Sequence, residues 1–112
     1  MAGQAVCKLS ELRAGQARCV TVTGAAGPVE VAVVHDENGK IHAVNDICTH
    51  GAVSLSDGDV EGDTIECWLH GSRFDLETGE PLSPPAVRPV AVYAVEVDGD
   101  DIVVDVDTVL NN

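Results

Sequence analysis

Aromatic side chains are nearly absent from this chain of 112 residues, which contains one Phe, one Tyr and one Trp. Hydrophobic residues nevertheless make up 45 % of it, which excludes a disordered segment. The core must therefore be built from Val, Leu, Ile and Ala. The length fits one domain, and we assign residues 1–112 to it. A domain of this size has a modest core, so a metal site can contribute noticeably to its stability.

Basic residues are also scarce. Six Lys and Arg stand against 19 Asp and Glu, and the formal net charge is −13. This balance argues against nucleic acid and anionic membrane surfaces as partners, because both attract positive charge. Six acids and no Lys or Arg lie between Lys40 and Arg73, and six more acids follow Arg88. These acids either keep the protein soluble or steer a basic partner towards it, and charge alone favours neither.

Signals for export and for a membrane are missing as well. The N-terminal stretch MAGQAVCKLSEL has no basic start followed by an apolar run, and no apolar stretch approaches the length of a transmembrane helix. We therefore expect a soluble, cytoplasmic protein, in which four cysteines are not to be read as two disulfides. The motifs GxSxG and HExxH and a nucleotide-binding glycine loop are also absent, so we expect no enzyme.

Short β-branched segments separated by turn residues predict an all-β domain. Residues 30–45 are typical of a hairpin around the turn ENG, and residues 91–106 of another around DGDD. GQARCVTV and DTIECW predict further strands, and LSELRAG predicts one helical turn capped by Ser10. The proline-rich stretch 81–89 cannot pair in the middle of a sheet. Many short strands favour an antiparallel β-sandwich or small barrel.

Two mixed Cys–His pairs carry the chemistry. Cys48 and His50 stand in CTHG, Cys67 and His70 stand in CWLHG, and 16 residues separate His50 from Cys67. That spacer can form a hairpin that brings the pairs together. Three interpretations compete: a structural zinc site, a chance cluster, and a [2Fe–2S] cluster with two Cys on one iron and two His on the other. Two near-identical pairs disfavour chance, and the mixture of ligands in each disfavours zinc, whose sites usually pair cysteines.

The pattern C-x-H-x16-C-x2-H, with its CTH and LHGS elements, resembles the Rieske motif. The resemblance covers most of the chain, and it is closest to the small ferredoxins of bacterial non-haem iron (aromatic-ring-hydroxylating) oxygenase systems. It implies the Rieske fold, in which a cluster-binding subdomain contributes two loops, here at about residues 46–75. The proline loop, residues 81–89, would cover the cluster from a third side.

The same resemblance implies a ligand set and a function. Cys48 and Cys67 would bind one iron of a single [2Fe–2S] cluster, and His50 and His70 the other. The protein would be a monomer that carries one electron from a flavin-dependent reductase to a terminal oxygenase. Similar small Rieske proteins accompany bacterial iron–sulfur assembly, so electron supply or redox sensing there remains an alternative. A non-redox accessory subunit and a zinc-stabilised interaction module are weaker alternatives, because all four ligands are present.

Residues beside the pairs point to a low reduction potential. High-potential Rieske proteins have an extra cysteine in each loop, at positions that correspond to Val53 and Leu69, and a tyrosine at the position of Phe74. Ser72 matches a serine that donates to a bridging sulfide in those proteins. Because the disulfide and the tyrosine are missing, we expect the low end of the Rieske range, which runs from roughly −150 to +300 mV.

Other reactive or bulky side chains are expected to be structural. We expect Trp68 to shield the cluster or pack beneath its loop rather than to be exposed for docking, and Arg73 to pair with local acids such as Asp75. Four further residues could bind metals in principle, and we expect none of them to be a ligand: Cys7, Cys19, His35 and His42. The two cysteines should be buried or partly buried thiols in strands.

Overall fold

The computed structural model describes residues 3–47, 53–68, 71–82 and 88–111. Within these ranges the chain forms nine strands: β1 Gln4–Lys8, β2 Gln16–Gly24, β3 Gly27–His35, β4 Ile41–Asn45, β5 Asp59–Glu61, β6 Thr64–Glu66, β7 Arg73–Asp75, β8 Val92–Asp98 and β9 Asp101–Val109. The helices described are two short 3-10 turns, Leu9–Glu11 and Leu55–Asp57. The prediction of an all-β domain is confirmed. No helix in the described ranges is long and apolar enough to cross a membrane.

Six strands form one antiparallel sheet that nearly closes into a barrel. Its order is β1-β9-β8-β4-β3-β2, so the two edge strands are β1 and β2. Side chains bridge the gap between its ends: Gln4 Nε2 donates to the Thr23 carbonyl oxygen at 2.6 Å, and the Ala25 amide donates to Asp107 Oδ1 at 2.9 Å. Occupied edges protect a sheet from pairing with other chains. The predicted small barrel is confirmed.

Strand β3 is buried on both faces, and it organises the two halves of the core. Val31 and Val33 belong to a cluster inside the barrel, whereas Ala32 and Val34 belong to a second cluster on its outer face. All four are fully buried. Because successive strand residues point to opposite faces, a strand covered on both sides needs an unbroken apolar run, and this explains VAVV in place of alternation.

The second cluster, here called the shared cluster, joins the barrel to a three-stranded sheet of order β5-β6-β7. Its buried members are Ala32, Val34, Val44, Leu55, Ile65, Cys67, Phe74, Leu76, Val90 and Val92. Residues of the barrel strands and of the small sheet therefore share one core. Burial of roughly 1.5–3 kcal/mol per large aliphatic or aromatic side chain holds the two sheets together.

The turn between β3 and β4 also contacts the small sheet. The Glu37 amide donates to the Gly62 carbonyl oxygen at 3.0 Å, and the Gly62 amide donates to Glu37 Oε1 at 2.7 Å. On the other side of the turn, Lys40 forms an ion pair with Glu77, which follows β7. The turn is therefore bonded to the small sheet at two places, the turn between β5 and β6 and the segment after β7.

A buried acid–histidine pair supports this turn. Asp36 Oδ1 accepts the backbone amides of Asn38 and Lys40, and His42 Nε2 lies 2.7 Å from Asp36 Oδ2. Burial alone raises the pKa of Asp36, but the hydrogen bonds from His42 and the two amides outweigh it and lower that pKa overall. His42 therefore has a structural role, as expected, and it is buried.

Asn111 ties the turn after β7 to the segment that leads into β8. Its side-chain amide donates to the carbonyl oxygens of Thr78 at 2.9 Å and Val90 at 2.7 Å, and its oxygen accepts the Val92 amide at 3.0 Å. Gly79 lies at the centre of this contact with φ +76°, and a Cβ there would come within 2.2 Å of the Val90 carbonyl oxygen. Only glycine fits this position.

Two of the local predictions are confirmed and one is wrong in part. The hairpins predicted within 30–45 and 91–106 are present as β3–β4 and β8–β9. The predicted helical turn is a 3-10 turn, but Ser10 does not cap it: the turn begins at Leu9, and the Ser10 hydroxyl donates to Asp100 Oδ2 at 2.8 Å. Here a tertiary contact replaces the local cap.

Candidate metal centre

The first arm of the centre comprises residues 47–54, and its ends are paired. Ile47 and Ser54 form an antiparallel bridge. Just outside that bridge, the Leu55 amide donates to the Asp46 carbonyl oxygen at 2.6 Å, and the Ser56 amide donates to Asp46 Oδ1 at 2.9 Å. The arm is therefore a closed loop whose entry and exit are held by backbone geometry.

The second arm comprises residues 67–72 and connects β6 to β7. The Cys67 amide donates to the Ser72 carbonyl oxygen at 2.7 Å, and the Gly71 amide donates to the Cys67 carbonyl oxygen at 2.9 Å. Gly71 has φ +75°, a left-handed conformation that glycine adopts at little cost. The glycine of CWLHG thus permits the tight return that places Cys67 opposite Ser72.

Both arms rise from the shared cluster. Leu55 follows the first arm, Cys67 opens the second, and both are buried in that cluster together with Phe74. Val53, within the first arm, packs against it. The spacer therefore folds back as expected. The 3-10 turn Leu55–Asp57 and strands β5 and β6 bring the roots of the arms, Leu55 and Cys67, together in the shared cluster, which forms an apolar floor under both arms.

The start of the proline loop lies beside the second arm. Phe74 bridges with Pro81, and the Leu82 amide donates to the Arg73 carbonyl oxygen at 2.6 Å. The Asp75 amide donates to the Glu80 carbonyl oxygen at 2.9 Å. The loop accordingly begins along the outer edge of β7, where a proline interrupts no interior pairing.

The predicted ligands can be placed only in part. Cys48, His50 and His70 lie outside the described residues, as does Leu69. Cys67 is described, and it is 1 % exposed and not part of a disulfide. Among the described residues no group of three His, Cys, Asp or Glu side chains could hold a metal ion. A buried thiol fixed by its backbone beside an apolar floor suits an iron–sulfur cluster, because thiolate sulfur is the preferred ligand of such clusters.

The other described cysteines have raised pKa values. Burial raises the pKa of Cys7. In Cys19, partial burial of the sulfur and then the carboxylates of Asp46 and Glu30 raise the pKa to about 12. The Cys19 thiol donates to Glu30 Oε1 at 3.5 Å. Both groups stay protonated at neutral pH and are poor nucleophiles and ligands. Cys7 is partly buried, as predicted, whereas Cys19 is an exposed residue of which only the sulfur is partly covered.

Trp68 differs from its prediction. Its exposed fraction is 54 %, so it neither shields a buried centre nor packs beneath the loop. Trp68 follows the end of β6 and begins the turn that the Gly71–Cys67 hydrogen bond closes, and there its side chain is exposed while that of Cys67 is buried. The structural role expected for Arg73 is present, but the acids are on neighbouring strands: Glu66 at 3.4 Å and Glu61 at 3.8 Å.

One residue of the site was not identified from the sequence. Asp46 is 1 % exposed and forms the hydrogen bonds that close the first arm. An aspartate at the start of a loop is a common side-chain acceptor for amides that follow in the chain. That signal was available in NDICTH, although the bond to Ser56 spans ten residues and depends on the fold.

Comparisons with known proteins agree with this geometry. The family model for the Rieske [2Fe-2S] domain matches residues 2–94. Ferredoxin CarAc of Metapseudomonas resinovorans is 42 % identical over 99 residues, which cover 88 % of this chain and 89 % of that protein. The ferredoxin component of the naphthalene 1,2-dioxygenase system of Pseudomonas aeruginosa is 39 % identical over 97 residues, covering 87 % and 88 %.

A solved structure is also similar. It is the complex of reduced oxygenase and oxidized ferredoxin in carbazole 1,9a-dioxygenase, one chain of which superposes with a TM-score of 0.83 at 38 % identity. The match covers 93 % of this chain and 93 % of that one. Both fold and sequence therefore point to the same group of proteins.

The chain belongs to the Rieske [2Fe–2S] domain family, and the predicted Rieske fold and Rieske-type cluster are confirmed. Within the family its relatives are named as ferredoxins, the electron-transfer components of dioxygenase systems. The chain is a Rieske-type ferredoxin, and electron transfer rather than catalysis is its function, as the resemblance implied.

Gly58 lies in the spacer between the two arms, where the chain passes close to the end of β6. A Cβ on Gly58 would lie 1.8 Å from the Glu66 carbonyl oxygen, although its φ of −87° is open to any residue. We expect Gly58→Ala to lower the free energy of unfolding by about 3 kcal/mol, because the backbone must shift. Urea-induced unfolding followed by circular dichroism measures this change.

Gly39→Ala is the matched control for that substitution. Gly39 has φ +92°, and a Cβ added there would meet no atom within 4 Å, so alanine costs only backbone strain, about 1–2 kcal/mol. Equal losses in the two variants would show that β6 gives way readily at Gly58.

Proposed function

We propose that Cys48, His50, Cys67 and His70 bind the [2Fe–2S] cluster, with the two thiolates on one iron and the two imidazoles on the other. The observation that carries this proposal is the placement of Cys67, buried at the root of the second arm on the same apolar floor as the root of the first. A cluster held by these residues would supply one-electron transfer.

The residues around the proposed cluster site exclude water and are held in fixed positions. Leu55, Phe74 and Val90 bury their side chains next to Cys67 in the shared cluster. The paired ends of both arms fix the loops relative to that floor. Exclusion of water and fixed ligand positions limit the rearrangement that accompanies a change of charge.

We further propose that the single domain, residues 1–112, passes electrons from a flavin-dependent reductase to a terminal aromatic-ring oxygenase. Support comes from relatives named as components of carbazole and naphthalene dioxygenase systems, and from the similar ferredoxin solved with its oxygenase. These relatives favour this role over iron–sulfur assembly. A cytoplasmic location agrees with thiols rather than disulfides at Cys7, Cys19 and Cys67. A monomer agrees with the bridged barrel edges.

An apolar surface beside the arms suits protein docking. Among the large exposed hydrophobic residues, Ile47 begins the first arm, Trp68 lies in the second and Leu82 lies in the proline loop; their exposed fractions are 43 %, 54 % and 54 %. Tryptophan is a frequent anchor of interfaces. Alternate residues of the spacer are exposed acids, namely Asp57, Asp59, Glu61 and Asp63. The acids can steer encounter while the apolar residues form the contact.

Ligand substitutions test the cluster proposal. The purified protein should be brown and, after reduction with dithionite, give a Rieske-type signal in electron paramagnetic resonance. Cys67→Ser and His70→Ala should each remove that signal, because each takes one ligand from an iron. Cys19→Ser and His35→Ala replace residues of the same types outside the arms and should retain it. A colourless, zinc-containing protein, or signal loss in the controls alone, would contradict the ligand set.

The reduction potential tests the residues around the arms. We expect a midpoint below that of the standard hydrogen electrode, because Val53 and Phe74 stand where high-potential members carry a cysteine and a tyrosine. Phe74→Tyr would place a hydroxyl in the shared cluster beside Cys67, and a bond from it to a ligand sulfur would raise the midpoint. A redox titration followed by electron paramagnetic resonance measures both. A positive midpoint in the unmodified protein would overturn the low-potential assignment.

Trp68→Ala tests the docking surface. We expect the concentration of ferredoxin needed for half-maximal oxygenase turnover to rise roughly tenfold, equivalent to about 1.4 kcal/mol, while the midpoint potential stays unchanged. Val97→Ala is the control, because Val97 is 42 % exposed near the far end of β8. If the two variants behave alike, Trp68 is not a docking anchor.

A further inference from the structure

Asp46 is the most deeply buried acid near the metal centre. Its backbone amide donates to the Glu30 carbonyl oxygen at 2.9 Å, which extends the pairing of β3 and β4 by one residue. Its carbonyl oxygen and Oδ1 accept the amides of Leu55 and Ser56. Asp46 thus connects the start of the first arm to β3, and it also connects that start to the 3-10 turn that follows the arm.

The second carboxylate oxygen has no such partner. Asp46 Oδ2 is buried, and no described residue forms a hydrogen bond with it. The nearby Cys19 thiol donates to Glu30 Oε1 at 3.5 Å, and the Asp46 carboxylate also contributes to its raised pKa. A buried carboxylate oxygen without a strong donor costs stability, and the cost is larger when the group is charged. An amide side chain would keep an oxygen for the Ser56 amide and would carry no charge, so the closure of the arm alone does not require an acid.

The position of Asp46 near a proposed ligand offers a reason for a negatively charged side chain there. It lies two residues before Cys48, so their Cα atoms are at most about 7 Å apart. Water screens a buried charge much less than an exposed one. A negative charge at that distance opposes the addition of an electron to a neighbouring cluster and so favours its oxidised form.

We propose that Asp46 is a positioning residue with two roles: its Oδ1 and carbonyl oxygen close the first arm, and its buried charge lowers the reduction potential of the cluster. This inference rests on the ligand set proposed above. It adds to that proposal a residue which is neither a ligand nor a donor to the cluster.

Two substitutions separate the roles. Asp46→Asn keeps an oxygen for the Ser56 amide and removes the charge, so the spectrum should persist while the midpoint rises. We expect the equilibrium constant for reduction to increase on the order of tenfold, which for one electron is about 59 mV. Asp46→Ala also removes the acceptor, so the arm should open and the cluster should be lost from the protein at least several-fold faster than from Asp46→Asn.

Asp57→Asn is the matched control, because it removes the same charge from an exposed residue of the same segment. A redox titration, and the decay of visible absorbance with a chelator present, are measured on each iron-loaded protein. A midpoint in Asp46→Asn no higher than in Asp57→Asn overturns the charge role, and equal decay in the Ala and Asn variants overturns the arm role. An unmodified protein without a Rieske signal instead overturns the ligand set on which both depend.

Discussion

The packing of the small three-stranded sheet on the outer face of the barrel is the interaction on which the rest of the molecule depends. It buries the shared cluster, and both arms of the metal centre adjoin that cluster, the first through Leu55, which follows it, and the second through Cys67, which begins it. Two loops that are far apart along the chain can hold one cofactor only if their roots keep a constant separation. A close-packed apolar floor provides that separation, because its side chains cannot move independently.

Polar contacts further restrain the position of the small sheet, which apolar packing holds against the barrel. The turn between β3 and β4 is bonded to the small sheet and the segment after it through Glu37 and Lys40. Asn111 connects the turn after β7 to the segment before β8 by hydrogen bonds. Most of these contacts are partly exposed, and each is worth little alone. Their distribution matters more, because they restrain the small sheet on sides that the shared cluster leaves open. The metal centre therefore sits on a support that is held from several directions.

Electrostatics divides the acids of the chain into two groups. Those on the spacer, such as Asp57 and Asp59, are exposed to water, and their charges act mainly at long range. Asp36 and Asp46 are buried, and their carboxylates organise the backbone of a turn and of an arm. The net charge of −13 is thus a poor guide to the role of any single acid.

Much of the fold could be read from the chain, since the hairpins β3–β4 and β8–β9 have long β-branched runs with turn residues between them. Strands β5 and β7 have three residues each, too few for an alternating pattern to stand out. Their extended form comes from pairing with β6 and from burial of Phe74, so it depends on residues distant in sequence. The cap predicted at Ser10 failed for the same reason, because Asp100 lies within reach only in the folded chain.

For the metal centre, the sequence alone determined the class of cofactor and predicted its ligand types, because the residue types and the spacing of the two Cys–His pairs are local properties. It also determined that glycine follows the second pair, where Gly71 adopts a left-handed turn. Only the tertiary structure decided that Trp68 faces outwards and that Arg73 pairs with Glu61 and Glu66. It likewise decided that Asp46 is buried beneath the first arm. Exposure and ion pairing depend on which residues, distant in sequence, lie against a side chain, and the spacing of residues along the chain does not specify those neighbours.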